Sequence, residues 1–395
     1  MVATTLALIS TIDSQQESYL TSTPTVNFFT SVYNQYYNFV YESIRIPLHS
    51  DAKFGNKTNV IIPNKGHLLS KLFLEIKLPQ LNKIDGTFLS WCDTVGYAIF
   101  SQPIELMIGG VIVDRLYPKC MDMMNELSSE SKRIGINRMI LKSDMWRSTL
   151  YNATQTGILT IPLSFWFCNN YSLALPICMM TSQEIQINFS FNTFDNLINY
   201  DGILGYDRNI SIPEILDSRL IIEYIFIDDK LLNIYKSNPL RFLIEQQTSN
   251  SREQFPAGTS IINTHLYFEN SSKYILFALV SQENIDSNNH FNYSLPDYSN
   301  NYYTILNQSS GTVRPFITDV QLLLNGTTLY EDYLPESFFR NSTPMNVANR
   351  ISDKHMYLYP FCLNSNNILQ PTGSLNLTNF DSCVLSLKMS NNIPI

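Results

Sequence analysis

Ile104-Glu-Leu-Met-Ile-Gly-Gly110 and Val320-Gln-Leu-Leu-Leu-Asn-Gly326 are one pattern written twice, 216 residues apart. Each is a short apolar run that ends in a pair of residues tolerant of positive φ. Each therefore reads as a strand entering a tight hairpin turn. Working outward, other matches keep the same order. Pro118 answers to Pro335, Phe167-Cys168 to Phe361-Cys362, and Pro176 to Pro371; upstream, Phe39-Val-Tyr-Glu42 resembles Phe242-Leu-Ile-Glu245. The offset falls by about 22 residues between Pro118 and Phe167, where the first half holds its helical signal, so the second half has a shorter version of that connection. The shared order argues for a duplicated β domain. A period near 200 residues is too long for a solenoid or a propeller and fits two tandem sandwiches, each needing roughly 150–200 residues with its loops.

Period-2 alternation, the mark of a half-buried strand, recurs along the chain. It is clearest at 71–79 and 184–191, where Ile185, Ile187, Phe189 and Phe191 share a face. Residues 219–227 read as a strand buried on both sides, and 264–269, 273–280, 319–324, 355–361 and 383–389 as further strands. Helical signals are few: 120–127, a continuation over 138–146 after a break at Gly135, and 228–236, which opens on two carboxylates and ends before Pro239. The Asn- and Ser-rich stretch 281–311 reads as an exposed loop.

Composition narrows the function. Hydrophobic residues are 44% and aromatics 12%, enough to build substantial cores, while charged residues are only 15% against about 25% in an average domain. The polar surface is therefore largely uncharged, supplied by 40 Asn together with Ser and Thr. The net charge is −8 and Lys132-Arg133 is the only adjacent basic pair, so a direct nucleic-acid footprint is absent. No apolar run approaches the ~20 residues of a membrane span, and with Arg45 as the first basic residue there is no positively charged start of a signal peptide. The six cysteines, at 92, 120, 168, 178, 362 and 383, lack CxxC spacing and read as reduced, buried thiols. Eleven Asn-X-Ser/Thr sequons follow from the abundance of Asn and Ser.

Catalytic signatures are missing. His49, His67, His265, His290 and His355 show neither His-X-His nor HExxH spacing, and there is no GxSxG, P-loop or GxGxxG. Asp93, Asp114, Glu126 and Glu130 are the carboxylates that could pair as general acid and base; surface or capping roles are the plainer reading. Phe165-Trp166-Phe167, Trp91 and the group Tyr33, Tyr36 and Tyr37 could form a ligand platform, with core or interface packing the commoner use. No catalytic, cofactor-binding or metal residue is assigned, and no enzyme activity or cofactor is expected. Residues 1–35, rich in Thr, Ser and Gln, read as a frayed tail or as an arm that orders on a partner.

A longer set of motifs carries a resemblance. Ser18-Tyr-Leu-Thr-Ser-Thr-Pro-Thr-Val-Asn-Phe-Phe29, then Val32-Tyr33, Tyr37-Asn-Phe39 and Glu42-Ser-Ile44, followed by Phe54-Gly55 and Ile62-Pro-Asn-Lys-Gly-His-Leu68, resemble the start of the major capsid proteins of nucleocytoplasmic large DNA viruses. Tyr224-Ile-Phe-Ile-Asp-Asp229 with Leu243-Ile-Glu-Gln246 is similar to that family's link between its two rolls. Phe291-Asn-Tyr-Ser294, Leu324-Asn-Gly326 and Gln370-Pro-Thr-Gly-Ser-Leu-Asn376 extend the likeness, which runs from about residue 18 to 389.

The resemblance implies an all-β double jelly roll, two tandem eight-stranded antiparallel sandwiches with short connecting helices. The expected division is an N-terminal arm over 1–30, a first roll over 31–228, a linker helix over 229–239 and a second roll over 240–395. It also implies a homotrimer forming a pseudo-hexagonal capsomer that tiles an icosahedral virion shell, assembled in the cytoplasm of an infected eukaryotic cell. The implied partners are the chain itself, neighbouring capsomers, and minor capsid proteins and an internal membrane met through the N-terminal arm. The chain is shorter than most members of that family. A minor capsid protein or transient scaffold of the same fold, and a β-sandwich glycan-binding module, are the alternatives.

Overall fold

The computed structural model describes residues 23, 25, 29–31, 33–48, 52–81, 89–142, 157–200, 213–295, 314–330 and 332–390. Two units are distinguished, Met1–Asn38 and Phe39–Ile395. In the first, the described residues form neither helix nor strand, and Phe29, Tyr33 and Tyr36 are exposed. The expected arm over 1–30 lies almost wholly outside the described residues.

The first half of the second unit carries, besides the short antiparallel pair Leu89–Trp91 and Ile198–Tyr200, the strands β1 (Phe39–Pro47), β2 (Lys57–Ile62), β3 (Leu68–Lys77), β4 (Ile104–Ile108), β5 (Val111–Leu116), β6 (Ile158–Pro162), β7 (Ile185–Ser190) and β8 (Asp217–Ile227). They build two four-stranded sheets, ordered β1-β8-β3-β6 and β2-β7-β4-β5, with every pairing antiparallel. The alternation dictates which face turns inward. In β3, Leu72, Leu74 and Ile76 are buried while Lys71, Phe73 and Glu75 are half-exposed. In β7, Ile185, Ile187 and Phe189 are buried against Gln186, Asn188 and Ser190. Each fully buried Leu or Ile contributes roughly 1.5–3 kcal/mol of transfer free energy, so this strip fixes the register.

The second half carries β9 (Ile261–His265), β10 (Tyr274–Phe277), β11 (Ile317–Leu324), β12 (Thr327–Thr328), β13 (Tyr357–Pro360) and β14 (Cys383–Met389). The order β9-β14-β11-β12 reproduces β2-β7-β4-β5, and the pair β10-β13 reproduces β3-β6. The two hairpins that open the sequence argument are the same object. Gly109 and Gly110 have φ of 59° and 82°, Asn325 and Gly326 of 51° and 77°. Two consecutive positive φ values define the type I′ turn, whose twist matches the flanking strands and which Asn-Gly and Gly-Gly enter at least cost. The fold is a double jelly roll.

Several details differ from expectation. Among the described residues the first roll has ten strands, the eight of its two sheets and the short pair Leu89–Trp91 with Ile198–Tyr200, and six strands of the second half repeat the order of the eight. β8 is fully buried on one face only; the other, with Arg219, Ile221 and Glu223, is half-covered. Helix α1 (Pro118–Leu127) is followed by α2 (Glu130–Met139). The break falls at Ser128-Ser129 rather than at Gly135, because serine ahead of Glu130 suits a helix start and one exposed interior glycine is tolerated. Residues 143–146 of the expected continuation lie outside the described residues. Helix α3 (Asp229–Ser237) is as read, with the Asp228 side chain accepting from Lys230 N.

The stretch 281–295 is no exposed loop. It opens with helix α4 (Gln282–Asp286) and then buries Phe291, Tyr293 and Leu295; residues 296–313 lie outside the described residues. Phe291 and Tyr293 join the apolar core of the first roll, as do Val347, Met356 and Leu358 from the second half. Asn288 Nδ2 donates to the Asp195 and Ile198 carbonyls. A separate core, with Val320, Leu322, Phe339 and Tyr359, holds the second roll together.

Candidate functional site

Between the rolls lies a buried cluster of charge. After β5, Pro118 takes the first position of α1, where its missing N–H costs nothing. The helix then turns Asp122, Asn125 and Glu126 inward, Asp122 and Glu126 being four residues apart and so on one face. Asn125 Nδ2 donates to Asn137 Oδ1 of α2 at 2.8 Å, which fixes the two helices together.

Cations arrive from both halves. Lys142 Nζ stands 2.7 Å from Glu126 Oε1 and 3.7 Å from Asp122 Oδ1. Arg133 lies 2.7 Å from Glu130 and 4.0 Å from Glu126. From the second half, beyond helix α5 (Thr343–Val347), Arg350 Nη1 donates to Glu126 Oε2 at 3.2 Å and Nε reaches Glu130 Oε2 at 2.8 Å. Arg350 also pairs with Asp353. Lys354 Nζ donates to Asp122 Oδ2 at 2.6 Å, and the Tyr293 hydroxyl donates to the same oxygen at 3.1 Å.

Four carboxylates thus face four cations, with the Glu126 side chain 2% exposed. Burial alone would raise the Glu126 carboxyl, but Lys142, Lys354 and Arg133 bring it down to about 2. Burial opposes the charge on Lys142, yet Asp122 and Glu126 outweigh it and hold the ammonium above its usual range. Lys354 is shifted the other way, because burial and the neighbouring Lys142 outweigh its contact with Asp122. A carboxylate held this far from neutrality is no proton shuttle at physiological pH. What the arrangement does is pin one roll to the other.

The residues named from sequence scatter. Arg350 brings Glu126 and Glu130 together, and Asp93 lies within electrostatic range of Lys142, its carboxyl raised chiefly by burial. Asp114 is elsewhere, buried in β5, accepting from Arg115 N and raised by burial to about 6. Phe165, Trp166 and Phe167 are core side chains, as is Trp91, which packs on Phe54 and Phe194. Tyr33 and Tyr36 are exposed, and Tyr37 is 45% exposed.

His67 Nδ1 accepts from Ile227 N, His290 Nε2 bonds the Asn196 carbonyl, His265 stacks on Tyr267 and His355 is buried; His49 lies outside the described residues. Cys92, Cys362 and Cys383 are buried and Cys120, Cys168 and Cys178 half-buried; all six are free thiols. Burial pushes the Cys120 thiol up to about 12. Among the described residues no three His, Cys, Asp or Glu are grouped to hold a metal ion, and no helix is long and apolar enough to cross a membrane.

The partners Lys142, Arg350 and Lys354 escaped the sequence reading. They lie up to 232 residues from the carboxylates they meet, and no local pattern marks them.

Comparison with known proteins agrees with this architecture. Residues 27–228 match the family described as major capsid protein N-terminus, and residues 233–395 match that described as large eukaryotic DNA virus major capsid protein. The major capsid protein of Paramecium bursaria Chlorella virus 1 is 25% identical over 94% of this chain and 84% of its own length. That of Phaeocystis pouchetii virus is 24% identical over 80% of this chain and 68% of its own. A quasi-atomic model of the PBCV-1 virus capsid superposes with a TM-score of 0.74 at 23% identity, covering 92% of this chain and 87% of that one. Two rolls of one strand order, matched by family across both halves, place this chain among the major capsid proteins of large eukaryotic DNA viruses.

Proposed function

We propose that the protein is a shell subunit that acts by trimerising. Three copies form a pseudo-hexagonal capsomer, and capsomers tile an icosahedral shell assembled in the cytoplasm of the infected cell. The observation that carries this reading is the repeated strand order, β2-β7-β4-β5 against β9-β14-β11-β12. Two like rolls per chain give a threefold assembly six similar lateral faces, which is what hexagonal tiling requires.

Two further features support it. The charge cluster and the docked stretch 281–295 make the pair of rolls rigid, and a tile that flexed at its middle would not hold curvature. The edge strand β1 exposes Phe39, Val40 and Tyr41 at 50%, 65% and 46%. An exposed apolar strand at a sheet edge is a surface suited to cover by another chain. The proposed division is a first roll over 31–228, a linker helix over 229–239 and a second roll over 240–395. The arm over 1–30 lies on the inner side of the shell, toward minor capsid proteins or membrane. No catalytic role is assigned.

Light scattering coupled to size-exclusion chromatography tests the trimer. Three chains of 45.4 kDa give about 136 kDa. That mass at micromolar concentration is expected, with an interface above ~2,000 Å² per pair as in obligate assemblies; monomer alone would overturn the reading.

A further inference from the structure

Two of the histidines differ in what a second ring proton would do to their hydrogen bonds. His290 Nε2 bonds the Asn196 carbonyl. A carbonyl only accepts, so this imidazole donates, and a charge on the ring leaves the bond intact. His67 is placed the opposite way. Its Nδ1 stands 3.1 Å from Ile227 N. A main-chain N–H only donates, so His67 Nδ1 must be bare.

The strand pattern explains why a side chain fills this position. β3 and β8 pair antiparallel as far as Leu68↔Ile225, and His67 N adds one more bond, to the Ile225 carbonyl at 3.2 Å. A ladder continued by two residues would offer the Ile227 N–H a main-chain acceptor. The chain turns away instead over Pro63-Asn64-Lys65-Gly66, where Lys65 N donates to the Pro63 carbonyl and a Cβ on Gly66 would stand 2.7 Å from Tyr224 Cβ. The imidazole takes the place of the carbonyl that is no longer there. It is held by its own N–H on Ile225, by Cys178 N, which donates to the His67 carbonyl at 3.1 Å, and by the Phe226 ring, whose centroid lies 5.5 Å away.

Ile227 is buried, ends β8 and stands just before α3, the helix that links the rolls. The first roll holds α3 through a small patch. Leu231, Leu232 and Tyr235 pack on Leu68, Ala174, Ile225 and Ile227, a cluster separate from both roll cores, and no residue of α3 is fully buried. Elements with so little buried contact open locally at low cost. The charged and titratable groups on the surrounding elements are Lys65 on the corner, Asp228, Asp229, Lys230, Tyr235 and Lys236 along the linker, and Cys178 on the turn Ile177–Met179. Among the described residues none of these side chains hydrogen-bonds or ion-pairs with the ring, whose polar contact is the Ile227 N–H.

We propose that His67 is a proton-operated catch on the linker helix. With Nδ1 bare it holds the Ile227 N–H, and α3 stays docked on the first roll. A proton on Nδ1 turns the acceptor into a second donor, leaves a buried N–H without a partner and frees the helix. Imidazole changes charge between roughly pH 5 and 8, so the catch opens in mild acid. The inter-roll charge cluster does not open with it, because the Glu126 carboxyl stays ionised down to about 2. The rolls stay joined while the linker lets go.

Hydrogen exchange followed by mass spectrometry on the full chain tests this, with protection corrected for the intrinsic exchange rate at each pH. Peptides covering 226–237 are compared at pH ~7.5 and ~5.5, either side of the imidazole range. Wild-type protection there is expected to fall about tenfold in acid, while α1 and β7 keep theirs. His67→Asn keeps an acceptor near the Nδ1 position and does not titrate; it is expected to protect the linker equally at both pH values. His67→Phe keeps a ring against Phe226 without the acceptor; it is expected to show the low, acid-like protection at both. Unchanged wild-type protection, an acid loss in His67→Asn as large as in wild type, or full protection in His67→Phe at the higher pH would each overturn the catch. The wild-type comparison decides by itself if a variant does not fold.

Discussion

Replacing Glu126 by Gln keeps the shape of the side chain and deletes the charge at the centre of the inter-roll cluster. The Glu126 carboxylate receives Lys142 at 2.7 Å and Arg350 at 3.2 Å, and its side chain is almost wholly buried. Its carboxyl sits at about 2 in the folded protein against an ordinary 4.5. That difference corresponds to roughly 3 kcal/mol of stability, in line with the ~3–5 kcal/mol measured when one partner of a buried ion pair is removed. Because the folded value is the lower one, this stability is present above pH ~4.5 and drains away as pH falls toward 2.

Urea titration at pH 7 and at stepwise lower pH, followed by tryptophan fluorescence, reads it directly. Glu126→Gln should be about 2–3 kcal/mol less stable at pH 7, and the two proteins should converge near pH 2.5. Salt should change the gap little, since the pair is shielded from solvent. A variant within ~1 kcal/mol of wild type at pH 7, or one with the wild-type acid profile, would refute the claim that this cluster locks the rolls.

The second hairpin turn needs αL geometry at Asn325, so Asn325→Val should cost about 1–2 kcal/mol while Asn325→Gly stays near neutral, both read by urea midpoint. A Cβ on Gly96 would stand 2.6 Å from Ile140 Cβ; Gly96→Ala should therefore destabilise by ~1–3 kcal/mol by urea midpoint, and Ile140→Ala should not rescue it, because alanine keeps the Cβ that clashes. Tyr293→Phe removes the hydroxyl that donates to Asp122 and should cost about 1–2 kcal/mol, with no loss if Tyr293 is a packing residue only.

What was legible in the sequence is what local chemistry enforces. Gly109-Gly110 and Asn325-Gly326 announce type I′ turns because few other residues accept two positive φ values in succession. β7 was readable because Ile185, Ile187 and Phe189 alternate without interruption. The stretch 281–295 was misread because Asn and Ser dominate its composition, and three buried side chains, Phe291, Tyr293 and Leu295, outweigh that average once a partner surface exists. Glu126 and Glu130 are legible as carboxylates, but their meaning comes from Arg350, brought near only by the packing of the two rolls.

The central claim is that two like rolls per chain make a sixfold-looking tile from three chains. Negative-stain electron microscopy of the purified protein tests it most directly. Class averages with a hexagonal outline and threefold symmetry are the predicted result; uniformly small particles without symmetry, at concentrations where the chain is folded, would contradict it.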